Sequence, residues 1–243
     1  MPTIKLDAID STNDFLKDLI KNQAVENFTV VVTNSQTNGR GQMGTKWVSE
    51  DGKNLIMSVL IKDLNLQIED VFVLNAMISV AIIEALSVFC IPNLSVKWPN
   101  DIMSDNKKIA GILIENSIKT DNSILSVVGI GLNVNQSHFE NLPFASSLFL
   151  QTGRTLSTDE VLHAIVTKIQ FFCQFISEKK LDELWQLYHQ YLFKKSVPMA
   201  FEDNFGNRFM GIIELVNHQG NLQIKLEDDT IQLYSIKEIK MLY

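Results

Sequence analysis

The chain has 243 residues, of which 46% are hydrophobic and 20% charged, which is typical of one large globular domain or of one domain with a small appendage. No apolar run reaches the roughly 18 residues that a membrane helix needs, and residues 1–10 lack the basic start and apolar stretch of a signal peptide. The formal net charge of −7 argues against a nucleic-acid surface as the main function. Because Cys90 and Cys173 are only two and far apart, we expect no disulfide framework and a location in the reducing cytoplasm.

The first part of the chain predicts alternating strands and helices. A short strand at residues 4–6 precedes Ser11, a candidate helix N-cap, with Asp14 three residues later as in a capping box. The β-branched run at 28–33 predicts a strand, whereas three glycines and few apolar residues at 34–46 indicate a loop. The other elements predicted here are strands at 55–61, 94–98, 109–115 and 124–130, a helix at 71–89, a turn at 99–101 and a polar hairpin at 119–123.

The character of the sequence changes after Lys195. Helices are predicted at 158–177 and 181–193, and short apolar runs separated by turns then predict a small β-barrel. The runs lie at 197–201, 209–215, 222–226 and 230–234. We therefore divide the chain into residues 1–194 and residues 195–243. So small a second unit is marginal by itself and is expected to pack on the first, which gives an α+β fold with a β appendage.

The segment GRGQMG at residues 39–44 fits the G-x-G-x-x-G pattern, which is weak evidence alone. A dinucleotide-binding fingerprint needs a helix at the glycines, and here a strand is predicted to follow. A protein-kinase loop needs a later D-F-G, and the nearest segment is Asn204-Phe205-Gly206. Two interpretations remain: an ordinary flexible turn, or a loop in which Arg40 and its neighbouring glycines bring a cation and backbone close to a phosphate.

Two further segments are candidates for a site. In KWPND at 97–101, Pro99 forces the chain out of its strand and leaves Asn100 and Asp101 displayed at the strand end. In KKIAGIL at 107–113, strand alternation places Lys108 on the opposite face from Ile109, although such lysines also occur in solvated hairpins. The glycines of GIGLNVN at 129–135 indicate that a ligand or another backbone passes close to a strand.

With STN at 11–13, these motifs have the order and spacing of biotin–protein ligases, which the chain resembles over nearly its whole length. The resemblance implies a mixed β-sheet with helices packed on one face, followed by a small SH3-like β-barrel. It implies ATP-dependent activation of biotin to biotinyl-5'-AMP and transfer of biotin to a lysine of a carrier. That carrier is expected to be the biotin carboxyl carrier protein domain of acetyl-CoA carboxylase or of another biotin-dependent carboxylase. Mg²⁺ is the expected cofactor with ATP, without a dedicated protein metal site.

The resemblance also implies roles for single residues. Biotin contacts fall on Ser11, Thr12, Asn13, Gln36, Gly39, Arg40, Gly41, Gln42, Lys108, Gly111, Leu113 and Gly131. Nucleotide contacts fall on Arg40, Trp47, Asn100, Lys108 and Asn133. Catalytic roles fall on Arg40, Lys108, Lys97 and Asp101.

Within these sets, Ser11, Thr12 and Gln36 are expected at the biotin ureido ring and Asn133 at adenine. One position departs from the family: many members have a second arginine where this chain has Gln42. Neutralisation of the negative charges on the substrates must then depend more on Arg40, Lys108 and magnesium.

Two rival functions remain open. A lipoate–protein ligase would share the fold, although KWPND followed by K-x-A-G-I-L favours biotin. A biotin-sensing transcriptional regulator would need a DNA-binding domain, and only ten residues precede Ser11. We therefore expect a monofunctional ligase with neither nucleic acid nor membrane as a partner.

Overall fold

The computed structural model describes residues 1–64, 71–118 and 123–243, apart from the side chain of Met43. The described helices are α1 (Thr12–Asn22), α2 (Val71–Ser87), α3 (Leu148–Thr152), α4 (Thr158–Ser177) and α5 (Leu181–Gln190). The described strands are β1 (Thr3–Ile9), β2 (Val30–Gln36), β3 (Leu55–Leu64), β4 (Leu94–Lys97), β5 (Asp101–Ser104), β6 (Lys107–Ile118), β7 (Ile124–Leu132), β8 (Pro198–Asp203), β9 (Arg208–Val216), β10 (Leu222–Leu226), β11 (Ile231–Tyr234) and β12 (Ile239–Leu242). None of the described helices is long and apolar enough to cross a membrane.

The larger sheet has the strand order β1-β2-β3-β7-β6-β5-β4. β1 and β2 pair in parallel, and every other neighbouring pair is antiparallel, so the sheet is mixed. Successive side chains of a strand point to opposite faces, and β2, β3 and β7 are apolar on both. Val30, for example, belongs to the main core, whereas Val31 packs with Leu16 of α1.

Helices accordingly cover both faces of this sheet. α2 and α4 pack on one face and α5 packs on α2, while α1 packs on the other face against β2, β3 and β7. α2 is buried along nearly its whole length because it lies between the sheet and the other helices. The predicted α+β class with a mixed sheet is confirmed. The expectation that the helices pack on one face is corrected, because β2, β3 and β7 are apolar on both faces and α1 covers the second one.

The C-terminal strands form a second sheet with the order β11-β10-β9-β8-β12, antiparallel throughout, which is consistent with the SH3-like unit expected. Its buried Phe201, Ile213 and Leu222 join the main hydrophobic core. Trp98 Nε1 also donates to the Gly220 carbonyl oxygen at 2.8 Å. The small sheet therefore packs on the larger unit, and the division at residues 194 and 195 stays a prediction.

Some elements differ from the sequence prediction. β2 runs through Gln36, so the glycine loop begins later than residue 34, and α5 ends at Gln190 instead of 193. The prediction missed α3, β5 and β12, all of them short. β5 begins with the polar Asp101, which was assigned to a turn; pairing with Gly111 holds it in the sheet. Most of the hairpin predicted at 119–123 lies outside the described residues.

Candidate active site

A cavity of about 250 Å³ lies between the N-terminus of α1, the glycine loop and strands β3, β6 and β7. The tertiary structure brings most of the expected site residues to its wall. Those lining it are Ser11, Thr12, Asn13, Gln36, Arg40, Gly41, Gln42, Trp47, Asn100, Asp101, Lys108, Gly111, Leu113 and Gly131.

One end of the cavity is a hydrogen-bonded polar cluster. Ser11 caps α1 by accepting from the backbone N–H of Asp14 at 3.4 Å. Gln36 Oε1 accepts from the backbone N–H and the hydroxyl of Thr12, at 2.8 and 3.1 Å. Ser58 Oγ lies 2.7 Å from Thr12 Oγ1 and 2.5 Å from Asn13 Oδ1. These contacts fix donors and acceptors at the position expected for a planar polar ring.

Ser58 is a site residue that the sequence prediction missed. It is fully buried in β3 and faces the polar cluster. The available signal was a serine inside the apolar run of residues 55–61, because a buried hydroxyl without a partner is costly. Its partners come from α1, 45 and 46 residues away in sequence.

The other end of the cavity contains an ion pair. Lys108 Nζ lies 2.6 Å from Asp101 Oδ1, and the two side chains are 36% and 20% exposed. Asn100 holds the preceding turn on β6, since its Nδ2 donates to the Ile112 carbonyl at 2.8 Å and its own carbonyl accepts from the Ile112 N–H at 3.0 Å. The cavity therefore contains a cation at the end opposite the polar cluster.

The glycine loop folds as an irregular hairpin over the cavity. Trp47 N–H donates to the Gly39 carbonyl at 3.0 Å, and Gly41 N–H donates to the Thr45 carbonyl at 2.7 Å. A 3₁₀ turn, Gln42–Gly44, forms the tip, and Gly44 has a φ of +83°. At that dihedral a side chain would be strained, so glycine is favoured at this position.

Arg40 connects this loop to α1 and β6. Its Nη2 lies 2.6 Å from Asp14 Oδ1 and 3.5 Å from Glu115 Oε2. Lys17 bridges the same carboxylates, at 2.9 Å from Asp14 and 2.7 Å from Glu115. Asn13 Nδ2 donates to Glu115 Oε2 at 2.7 Å. Two cations and two carboxylates thus form one cluster at the cavity edge.

The charges in this cluster shift one another's protonation. Burial raises the pKa of Asp14, but the hydrogen bond and charge of Lys17 and the charge of Arg40 outweigh burial and lower it. Burial lowers the pKa of Lys17, but the hydrogen bonds to Glu115 and Asp14 outweigh it and raise it. The stabilising contribution of ionised Asp14 is therefore present at neutral pH and is lost as the pH falls through its lowered folded-state pKa.

Glycines form the wall opposite the loop. A Cβ on Gly131 would lie 2.5 Å from Trp47 Cε2, and one on Gly129 would lie 2.5 Å from Asn13 Oδ1. Gly111 pairs with Gly131 across β6 and β7. The Trp47 ring lies in the space that a side chain on Gly131 would take, and the Asn13 side chain lies in that of Gly129. The close neighbours of these two glycines are therefore protein side chains, where the glycine pattern predicted a ligand or another backbone. Trp47 Nε1 is buried without a hydrogen-bond partner among the described residues.

The Biotin/lipoate A/B protein ligase family model matches residues 6–135, more than half of the chain. The chain belongs to this family. It is 34% identical to the bifunctional ligase/repressor BirA of Salmonella typhimurium, over 97% of this chain and 73% of that protein. It is also 29% identical to the biotin–[acetyl-CoA-carboxylase] ligase of Mycobacterium tuberculosis, over 59% of this chain and 54% of that protein.

A solved structure of a family member has the same fold. The biotin protein ligase of Aquifex aeolicus, in complex with biotin and ATP, has a TM-score of 0.82 and 26% identity over 99% of this chain and 98% of that chain. The resemblance to biotin–protein ligases that the motifs predicted is thereby confirmed.

Three of the residues expected in this ligase-family site do not line the cavity. Asn133 is buried, and its Nδ2 donates to the Ser146 carbonyl at 2.9 Å. Gly39 is buried at the base of the glycine loop. Lys97 points towards the C-terminal sheet, where its Nζ donates to the Tyr243 hydroxyl at 3.0 Å. The roles assigned to these residues, like those of the lining residues, stay predictions.

The Arg40 contacts predict how the ligase-family loop responds to ligand. Arg40 and Lys46 are exposed, so trypsin should cut the free protein there, and biotin with ATP should slow cleavage several-fold. Ordering a loop costs about 1–2 kcal/mol per residue, which anionic and apolar ligand groups can offset. In Asp14→Asn, which loses the 2.6 Å ion pair, cleavage without ligand should be faster than in the parent.

The matched control is Asp18→Asn on the same helix, where the carboxylate is exposed and pairs only with Lys21 in the described structure. Cleavage fragments are identified by mass spectrometry. Equal cleavage rates with and without ligands would show that the loop is not ordered by ligand, and equal rates in the two variants would show that Asp14 does not hold it.

Proposed function

We propose that the chain is a biotin–protein ligase, which forms biotinyl-5'-AMP from biotin and ATP and then transfers the biotin to a carrier lysine. The observation that supports this most is a single cavity with the Thr12–Gln36 polar cluster at one end and the Lys108–Asp101 ion pair at the other. The polar cluster suits the ureido ring of biotin. The ammonium suits the carboxylate of biotin and the α-phosphate that it attacks.

The first step requires two anions to meet. At about 4 Å and an effective dielectric constant of about 20, each unit charge pair is worth about 4 kcal/mol before desolvation. Lys108 offsets this repulsion directly, and Arg40 adds a second cation from the loop when it exchanges its carboxylate partners for the substrate anion. No enzyme nucleophile is needed, because the biotin carboxylate itself attacks phosphorus.

The residues at the cavity suit a magnesium ion that enters with ATP. Among the described residues, no group of three His, Cys, Asp or Glu side chains could hold a metal ion. Mg²⁺ in nucleotide sites is usually held by substrate phosphates with one or two protein carboxylates, and Asp101 is such a carboxylate. When bound, the ion supplies positive charge to the phosphates.

The second step requires a neutral amine on the carrier. Asp101 is the carboxylate we assign to orienting that lysine, since it lines the cavity beside Lys108. The mixed anhydride hydrolyses in water, so the closed glycine loop also protects it. The carrier is a biotin carboxyl carrier protein domain of acetyl-CoA carboxylase or another biotin-dependent carboxylase. Because both cysteines are free, we expect the reaction to take place in the cytoplasm.

Substrate choice provides the test. With biotin, ATP and Mg²⁺, the protein should release pyrophosphate and retain biotinyl-adenylate, whereas lipoate should be a poor substitute. A dithiolane ring offers no good hydrogen-bond donors or acceptors to the polar side chains of Thr12 and Gln36 that line the cavity. A site built to hydrogen-bond its substrate can reject an analogue that lacks those groups by about 10⁴-fold or more. Pyrophosphate release and the retained adenylate are measured side by side with each acid. Equal activity with lipoate would contradict the assignment of biotin as the substrate.

A further inference from the structure

Asn75 is a polar residue in an almost wholly apolar helix. Of the buried residues of α2, Asn75 and Ser79 are polar and the others are apolar. Ser79 is satisfied within the helix, since its Oγ donates to the Asn75 carbonyl at 2.8 Å. The Asn75 side chain is directed out of the helix, and its Nδ2 donates to the Pro99 carbonyl at 2.7 Å. The buried amide of α2 therefore connects the helix to the KWPND segment.

Neither helix formation nor core packing explains an asparagine at this position. Asn75 is 8% exposed, and its Oδ1 has no hydrogen-bond partner among the described residues. A buried polar atom without a partner is costly, and asparagine is a weaker helix former than leucine. A leucine here would have a similar shape and neither disadvantage. The contribution of Asn75 must therefore lie in its contact with Pro99.

The Pro99 carbonyl belongs to the peptide group immediately before Asn100, so the hydrogen bond from Asn75 sets the direction of the chain as it enters the cavity wall. On the other side, Asn100 is held to β6, because its Nδ2 donates to the Ile112 carbonyl and its own carbonyl accepts from the Ile112 N–H, at 2.8 and 3.0 Å. Asp101 follows directly as the first residue of β5. The turn is thus supported by α2 from the core and by β6 from the sheet.

This turn presents side chains of the site, whereas Asn75 does not reach the cavity. Asn100 and Asp101 line the cavity, and Asn75 is not among the lining residues. The Asp101 carboxylate lies 2.6 Å from Lys108 Nζ, so a small rotation of the turn would alter that distance. A misplacement of about 1 Å in a reacting group can cost about 10²-fold in rate. The direction of the Pro99 carbonyl is therefore expected to affect the reaction.

We propose that Asn75 is a positioning residue of the ligase reaction. By fixing the Pro99 carbonyl from the core, it holds the Asp101 carboxylate beside Lys108, and it does not itself contact a substrate. This rests on the proposed function, in which Asp101 accompanies the magnesium ion of ATP and orients the carrier lysine. The alternative is that Asn75 serves only the packing of α2 against its neighbours.

The test compares Asn75→Leu and Asn75→Ala with Ser79→Ala as the matched control. The two Asn75 variants differ in size and share the loss of the Pro99 contact, whereas Ser79→Ala removes a hydrogen bond that stays within α2. Both Asn75 variants should lower kcat for biotin-dependent pyrophosphate release by about 10-fold or more. The KM for biotin should stay near the parent value, because the Thr12–Gln36 cluster at the other end of the cavity is held by α1 and β2. Ser79→Ala should match the parent in both constants.

A double variant with Asp101→Ala separates positioning from packing. If Asn75 acts through the Asp101 carboxylate, adding Asn75→Leu to Asp101→Ala should cost less than about 2-fold in single-turnover adenylate formation, because residues that act through one another are not additive. The thermal unfolding midpoint of Asn75→Leu should not fall below that of the parent, since the variant removes the unpaired Oδ1. A full loss that persists beside Asp101→Ala would assign Asn75 to packing and overturn the proposal.

Hydrogen exchange tests the same contact without any ligand. Amide exchange in residues 98–104 should be faster in Asn75→Leu than in the parent and in Ser79→Ala, because the turn loses one of its supports. Unchanged exchange in this segment, or an unchanged kcat in the Asn75 variants, would contradict the positioning role. Absence of biotin-dependent pyrophosphate exchange in the parent would refute the ligase function, whereas hydrogen exchange would still decide whether Asn75 holds the turn.

Discussion

Lys108→Ala should lower the rate of biotinyl-adenylate formation by about 10²-fold or more, the usual scale for losing a charge contact to a transition state. Lys108 Nζ lies at the cation end of the cavity, 3.4 Å from the position that a Cβ on Gly111 would occupy. It is therefore in reach of a ligand that passes along the glycine wall. Transfer from supplied biotinyl-adenylate should be affected less, because the phosphorus–oxygen bond has already been exchanged.

The matched control is Lys107→Ala, since the side chain of Lys107 is exposed and donates to the Pro143 carbonyl. Lys108→Met is a second variant that keeps the apolar stem and should show the same loss. Single-turnover formation of labelled adenylate is the measurement. A near-normal rate of adenylation in Lys108→Ala would show that this lysine is an ordinary solvated hairpin residue without a role in the reaction.

Arg40→Ala should also lower adenylate formation by about 10²-fold, for a different structural reason. In the free protein Arg40 binds Asp14 and Glu115, so its loss removes both a substrate cation and the connection of the loop to α1. The affinity for biotin without ATP should therefore fall as well. An unchanged biotin affinity would show that the loop does not depend on this connection.

Gly131→Val should reduce biotin-dependent pyrophosphate release by about 10²-fold, since misplacing reacting groups by about 1 Å can have that effect. The new Cβ would lie 2.5 to 2.9 Å from three atoms of the Trp47 indole. An indole cannot bend, so the ring must leave the cavity wall. The added side chain would point towards Trp47 in the cavity and away from the neighbouring strands, so the backbone pairing of Gly131 with β3 and β6 should persist.

A double variant tests this cause. If displacement of the ring is responsible, adding Trp47→Ala to Gly131→Val should cost less than the sum of the two single effects, because residues in contact are not additive. The thermal unfolding midpoint of Gly131→Val should stay near that of the parent. If the activity losses of the two single variants add up in the double variant, the effect of Gly131→Val does not depend on Trp47.

Much of the fold and part of the site could be predicted from local sequence. Alternation along a strand is a property of the backbone, so Lys108 could be placed opposite Ile109; Ile109 is fully buried and Lys108 lines the cavity. α4 was predicted with its observed ends, because Ser157 caps its start and the apolar period continues through it. The capping role of Ser11 is local in the same way.

The sequence by itself thus determined most of the strands and helices, but not the short α3, β5 and β12, and it determined which family the chain resembles. Only the tertiary structure decided which side chains contact one another. Arg40 contacts carboxylates 26 and 75 residues away. Lys97, the first residue of the KWPND motif, binds Tyr243, which is 146 residues distant. The order in which strands join a sheet brings such groups together. Periodicity along one strand contains no information about that order.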